Sequence, residues 1–266
     1  MNGRRPWFAI SVLILGYLFL YSPIVSLMVY SFNESRLVTV WAGFSTKWYG
    51  ALMQNDALLS GAWLSVQIAF LTASLSVVLG TLAAFALIRF GNFRGRTLFA
   101  GMVTAPLVMP EVITGLSLLL LFVAMEGVIG WPQRGMMTIV IAHATFATAY
   151  VTVVVQSRLG QLDMSLEEAA MDLGARPFKV VRVITLPLIW PAMLAGWLLA
   201  FTLSFDDLVV ATFTSGPGAK TLPMEVFSSV RMGVSPQINA LATIFIVIVT
   251  AMVVIANQLA FRKRQS

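Results

Sequence analysis

The 266-residue chain has no cysteine, a single histidine and few charges, 11% of its residues against roughly 25% in a soluble domain. Without cysteine there is no disulfide framework, thiolate metal site or cysteine nucleophile. The shortage of charge excludes an ordinary soluble globular domain. Disorder is excluded too, because disordered chains are rich in charge and poor in aromatics, and 11% of this chain is aromatic. No G-x-x-x-x-G-K-[ST] phosphate loop is present. The nearest match, Gly216-Pro-Gly218-Ala-Lys220-Thr221, lacks the glycine before lysine. Neither a repeat of fixed period nor a low-complexity segment is visible.

What the chain has is hydrophobicity, with 59% apolar residues and a mean hydropathy of +0.88. The class is therefore an all-α polytopic membrane protein. A helix needs about 20 apolar residues to cross a hydrocarbon core. Six stretches qualify, near 7–32, 60–88, 98–125, 136–156, 188–214 and 238–261, forming one transmembrane domain. The first follows Arg4 and Arg5 and is too long for a signal-peptide core, so it reads as an uncleaved helix.

The net charge of +6 need not mean a nucleic-acid partner, because basic residues gather in cytoplasmic loops. Arg4, Arg5, Arg89, Arg94, Arg96, Arg158, Arg176, Lys179, Arg182, Arg262, Lys263 and Arg264 fall on one side of the six spans. Only Arg36, Lys47, Arg134, Lys220 and Arg231 fall on the other. This division predicts that both termini are cytoplasmic. On the opposite side Trp41, Trp48 and Tyr49 cluster in the first loop, with Trp131 in the second. They read either as an interfacial aromatic belt or as a docking surface for a soluble partner.

The cytoplasmic loop 157–187 is the most polar part of the chain and reads as two short helices. Ser165 and Glu168 have the spacing of a capping box, which starts a helix at Leu166. Glu167 and Glu168 then lie in its first turn, where acidic side chains favour the helix dipole. Gly174 stands where a left-handed residue ends it, and Pro177 opens the next helix. So short a helix needs a partner to bury it. Leu166, Ala169, Ala170 and Leu173 share one face for that purpose.

These residues carry a resemblance. Glu168-Ala169-Ala170, Gly174, Ile184 and Leu186-Pro187 match the EAA-x3-G-x9-I-x-LP loop of the membrane subunits of ABC importers at every fixed position. In that family the short helix is a coupling helix seated in the cytoplasmic ATPase subunit, which implies such a role for Glu168, Ala169, Ala170 and Gly174. The architecture implied is that of a type I ABC importer permease.

Three acidic residues fall within the spans, where by default they mark a pathway or a buried pair. Glu111 follows Pro106 and Pro110, thirteen residues into the third span, which places it about 20 Å along a helix rising 1.5 Å per residue, near the midplane. Paired prolines break the hydrogen-bond ladder, and such breaks are tolerated where they line a cavity. Asp206 and Asp207 occupy the outer half of the fifth span. No lysine or arginine within the spans neutralises them, and Arg89 is too shallow. A cationic passenger would remove the cost of an unpaired carboxylate. The blander reading ties the aspartates to Ser204 or exposed backbone.

Met-Pro-Glu111-Val-Ile-Thr-Gly-Leu-Ser, Ser-Phe-Asp206-Asp207-Leu-Val, Ser-Gly-Pro-Gly with Thr221-Leu-Pro-Met, and the stretch from Phe32-Asn33 to Trp48-Tyr49 resemble the polyamine branch of these permeases, most of all the putrescine importer permeases. Glu111 stands where aspartate is expected, which keeps the charge and lengthens the side chain. The resemblance implies import of a polyamine, putrescine first and spermidine next, across a bacterial inner membrane by alternating access. It also implies a second, distinct permease subunit, a cytoplasmic ATPase dimer holding ATP and Mg, and a periplasmic polyamine-binding protein. That protein would meet the loops near Trp41, Trp48 and Tyr49 and around 215–231. The chain itself would hold no cofactor or metal and hydrolyse no ATP.

The rival from another class is a proton-coupled carrier using Glu111, Asp206, Asp207 and His143 as a relay, since carriers also use broken helices. It leaves the capped internal helix unexplained. A lone intramembrane His143 reads first as a hydrogen-bonded packing element. An intramembrane protease lacks a glycine two residues before Ser60-Gly61 or Ser215-Gly216. An importer permease of the same build for another cargo, such as an amino acid or an inorganic anion, is equally compatible with the EAA loop, and the intramembrane acids oppose only the anion.

Overall fold

A computed structural model describes residues 6–37, 40–233 and 235–265. Arg4 and Arg5, used above for orientation, lie outside the described residues. The described chain is helical: α1 Pro6–Tyr30, α2 Lys47–Met53, α3 Asp56–Arg89, α4 Arg96–Thr104, α5 Glu111–Ile129, α6 Met136–Gly160, α7 Ser165–Asp172, α8 Pro177–Val180, α9 Leu186–Phe205, α10 Val209–Thr214, α11 Leu222–Met232 and α12 Pro236–Gln265. Among the described residues five helices are long and apolar enough to cross a membrane: Trp7–Tyr30, Asp56–Arg89, Glu111–Ile129, Met136–Gly160 and Pro177–Phe205. Pro236–Ala251 is a shorter apolar helix.

The chain forms two compact units, one from Met1–Leu59 with Val226–Ser266, the other from Ser60–Glu225. In the first, α12 packs against α1 and α2. Buried Asn33 organises the loop before α2. Its Oδ1 accepts the N–H groups of Ser35 and Ala42, and its Nδ2 donates to Val40 O at 2.7 Å.

In the second unit α6 is the hub, packed against α4, α5, α9 and α10. Its core is built largely of small and β-branched residues, among them Ala73, Ala84, Ala147, Val151, Val155 and Ala200, all fully buried. Without a hydrophobic drive between helices in lipid, association relies on close packing, which small residues permit. Val151 shows how. A Cβ added to Gly80 on α3 would lie 2.8 Å from its Cγ1, and one added to Gly196 on α9 would lie 3.2 Å away. One valine thus fills the notches of two helices. Gly80→Leu should lower the unfolding temperature in detergent, overpacking costing about 1–3 kcal/mol. Gly16→Leu, where an added Cβ meets nothing within 4 Å, should leave it unchanged. Equal melting of the two variants would contradict this packing.

Two expected spans are interrupted. The segment 98–125 is not one helix: α4 ends at Thr104, a 3₁₀ turn covers Ala105–Leu107, and α5 begins at Glu111. Pro106 and Pro110 lack the N–H that the ladder needs, and their rings crowd the carbonyls four residues back. The midplane depth inferred for Glu111 from a continuous rise therefore does not apply. The segment 188–214 likewise ends at Phe205, and Asp206–Leu208 separate it from α10.

The loop 157–187 differs as well. Its second helix is no isolated piece, because α8 runs through a π turn at Val181–Thr185 into α9. The π turn contains Val183, four residues before Pro187, whose missing N–H leaves no regular bond for that carbonyl.

Candidate functional site

The two helix breaks meet at one cavity of about 560 Å³, lined by Glu111, Thr114, Phe146, Tyr150, Asp206 and Asp207 among others. Each break places an acid at a helix end. Glu111 opens α5 directly after Pro110, whose extended backbone (φ −59°, ψ 134°) precedes the first turn. A carboxylate there faces the positive end of the helix dipole. Asp206 is the C-cap of α9, at the negative end of its helix, where an anion is disfavoured by roughly 0.3–1 kcal/mol. Both residues are exposed. No basic side chain among the described residues pairs with either.

Asp207 lies next in sequence but in a different environment. Its side chain is buried, and Oδ2 accepts the N–H of Ala211 at 2.7 Å. It thereby caps α10 in the manner of an N-terminal aspartate. Its other neighbour is His143, which is fully buried on α6. His143 Nδ1 is 2.8 Å from Ser204 Oγ, and Nε2 is 3.1 Å from Asp207 Oδ2. That second approach lies off the line of a hydrogen bond, so it is a close contact and not a bond. No lysine or arginine stands within the spans to meet these acids, and His143 supplies a neighbour for one of them. Thus the structure brings all three acids to one cavity but leaves only Glu111 and Asp206 open to it. Phe146 and Tyr150 add aromatic faces, which attract cations through the ring quadrupole.

The α7 helix carries the second set of expected residues. It begins at Ser165, one residue earlier than the capping box predicts, and Ser165 makes no cap. Asp163 acts instead, its Oδ1 accepting the Ser165 N–H at 3.0 Å. That backbone bond holds the exposed Asp163 carboxyl below the usual range. Its contribution is present above the ordinary carboxylate pKa and is lost as the pH falls through the lowered one. At the other end Gly174 adopts φ +86°. Its N–H bonds Met171 O at 2.8 Å and the N–H of Ala175 bonds Ala170 O at 3.0 Å, the two bonds of a Schellman motif.

Glu168, Ala169 and Ala170 lie along this helix, no residue of which is buried. Leu166 and Leu173, which share their face, are 50% and 90% exposed. The apolar face therefore has no cover among the described residues. Glu167, absent from the expected set, is instead engaged: its Oε1 lies 3.0 Å from Arg89 and accepts the Thr185 hydroxyl at 2.9 Å. No local pattern announces a contact across 78 residues.

The aromatic trio of the first loop divides. Trp48 donates its indole N–H to Asn33 O at 2.7 Å, and the Tyr49 hydroxyl bonds Ser31 at 2.8 Å. Trp41 remains about half exposed, edge-on to Tyr30.

Comparison with known proteins bears on this geometry. Residues 76–265 match the family described as binding-protein-dependent transport system inner membrane component. The putrescine transport system permease protein PotI of Escherichia coli K12 is 65% identical over 91% of this chain and 86% of its own length. The spermidine/putrescine transport system permease protein PotC of the same strain is 45% identical over 93% of this chain and 91% of its own. Among solved structures, a chain of a bacterial alginate ABC transporter, in complex with a periplasmic protein bound to an alginate pentasaccharide, superposes with a TM-score of 0.72. It covers 96% of this chain and 93% of that one at 16% identity, a likeness of fold alone. With the family pattern spanning most of the chain and close relatives spanning nearly all of it, the protein belongs to the binding-protein-dependent transport system inner membrane components.

Proposed function

We propose that this chain is the membrane-spanning permease subunit of an ATP-driven importer that carries a polyamine, putrescine first and spermidine next, into the cytoplasm. The observation that carries the proposal is the cavity where two broken helices meet and present Glu111 and Asp206 without a basic partner among the described residues. Broken backbone at membrane depth is tolerated where it lines a cavity. Carboxylates there favour a passenger with positive charges. The named cargo of the two relatives, putrescine in one and spermidine with putrescine in the other, supports the same class.

In this reading α12 completes six spans, both termini are cytoplasmic, and the chain forms one transmembrane domain of a bacterial inner membrane. The division of basic residues supports that orientation. A second, distinct permease pairs with this chain, and a separate ATPase dimer binds ATP and Mg. The uncovered apolar face of α7 around Leu166, Ala169, Ala170 and Leu173 is the seat for that ATPase. A periplasmic polyamine-binding protein delivers the cargo, with half-exposed Trp41 the foremost candidate contact of the trio Trp41, Trp48 and Tyr49. The fold neighbour solved with its periplasmic protein supports such a partner. No ATP chemistry is assigned to residues of this chain.

Competition in cells tests the cargo. Cells that rely on this importer should take up labelled putrescine, with uptake suppressed by unlabelled putrescine and spermidine and untouched by anionic solutes. Suppression by an anion and none by polyamines would overturn the assignment.

A further inference from the structure

We infer that Arg89 and Glu167 are positioning residues for energy coupling, forming with Thr185 a tie that makes α7 move together with the helices leading to the cargo cavity. The inference rests on the importer reading and adds residues outside the EAA positions. One carboxylate oxygen, Glu167 Oε1, takes both the Arg89 guanidinium at 3.0 Å and the Thr185 hydroxyl at 2.9 Å. The three groups come from three elements: Arg89 ends α3, Glu167 lies in the first turn of α7, and Thr185 closes the π turn before α9. The contact is enclosed, with the Arg89 and Glu167 side chains 12% and 14% exposed and Thr185 fully buried.

The rest of α7 offers little other anchorage, since none of its residues is buried and its apolar face awaits a partner. Force applied to that face must pass into the membrane helices through a connection that does not yield. The covalent route runs along α8 and then through the π turn at Val181–Thr185, a departure from regular helix just before Pro187. The tie bypasses that turn on one side by holding Glu167 to its last residue. On the other side it holds Glu167 to the end of α3. Beyond Thr185, α9 runs to Phe205 and delivers Asp206 to the cavity. A shift of α7 is thereby carried to the carboxylate proposed to receive the cargo.

The test is the number of ATP molecules hydrolysed per putrescine imported, measured on the assembled importer in vesicles. Arg89→Ala and Glu167→Gln should each raise that ratio at least about 5-fold while hydrolysis continues. Arg89→Lys, which keeps the charge, should stay within about 2-fold of wild type. The reversed pair, Arg89→Glu with Glu167→Arg, rebuilds the contact and should recover most of the coupling lost by either single change. Residues that only supported the fold would alter yield and melting and leave the ratio alone. Assembled single variants with the wild-type ratio would overturn the tie. If the single variants fail to assemble, a reversed pair that assembles and stays uncoupled would do so equally. The wild-type complex measured alongside separates the two claims, because absence of ATP-driven uptake there counts against the importer reading itself.

Discussion

Asp206→Asn should raise the KM for putrescine by about 10- to 100-fold in importers that assemble at the normal level. A hydrogen bond to a charged group contributes about 1.5–3 kcal/mol, and each 1.4 kcal/mol is tenfold in affinity. Asparagine keeps the size and the polarity of the side chain and removes only the charge. Glu111→Gln should act in the same direction, since its carboxylate opens onto the same cavity without a basic partner among the described residues. Asp207→Asn is the informative contrast, one residue away. That carboxylate is buried, caps α10 and sits 3.1 Å from His143. Losing its charge should cost stability, about 1 kcal/mol as a charge-assisted helix cap becomes a neutral one, and leave the KM of the surviving importers close to wild type. A KM shift for Asp207→Asn equal to that of Asp206→Asn would contradict the division of labour drawn from the structure.

The second large effect concerns Gly174. A Cβ added there meets nothing within 4 Å, so the cost of substitution is conformational. At φ +86° a non-glycine residue costs about 1–2 kcal/mol, and a β-branched one more. An eight-residue helix with no buried side chain has little from which to absorb that cost. Gly174→Val should therefore fray the end of α7, unmake the Ala175–Ala170 bond and uncouple hydrolysis from import, raising ATP used per putrescine by about 5- to 30-fold, the factor that 1–2 kcal/mol represents. Gly174→Asn should be the mildest substitution, because asparagine tolerates the left-handed region best after glycine. Full coupling with valine at normal assembly would show that the helix end does not matter to transmission.

Local chemistry explains which features were legible beforehand. The α7 helix and its glycine end were readable because capping, helix-dipole preference and the left-handed turn all act within a few residues. Even so, Asp163 displaced Ser165 as the capping acceptor, a choice between two plausible oxygens that spacing does not decide. Pro106 and Pro110 announced a disturbance in the third span. They did not reveal that the helix would stop and restart at Glu111. The break at Asp206–Leu208 contains neither proline nor glycine. It is sustained by the Asp207 side chain capping α10 and by packing of α10 against α5 and α6. Such tertiary support leaves no local trace. The same holds for His143 beside Asp207 and for Arg89 beside Glu167. In each case the two residues stand far apart in sequence, and no local pattern announces that they meet.

Vesicles holding this chain, its partner permease, the ATPase and the binding protein test the central claim most directly. Labelled putrescine is offered at the face where the binding protein docks, ATP is supplied at the opposite face, and no ion gradient is imposed. The account predicts uptake that requires ATP hydrolysis and falls when unlabelled polyamine is added. Uptake that ignores ATP and starts only when a proton gradient is imposed would contradict it, and would make Glu111, Asp206, Asp207 and His143 members of a proton path instead.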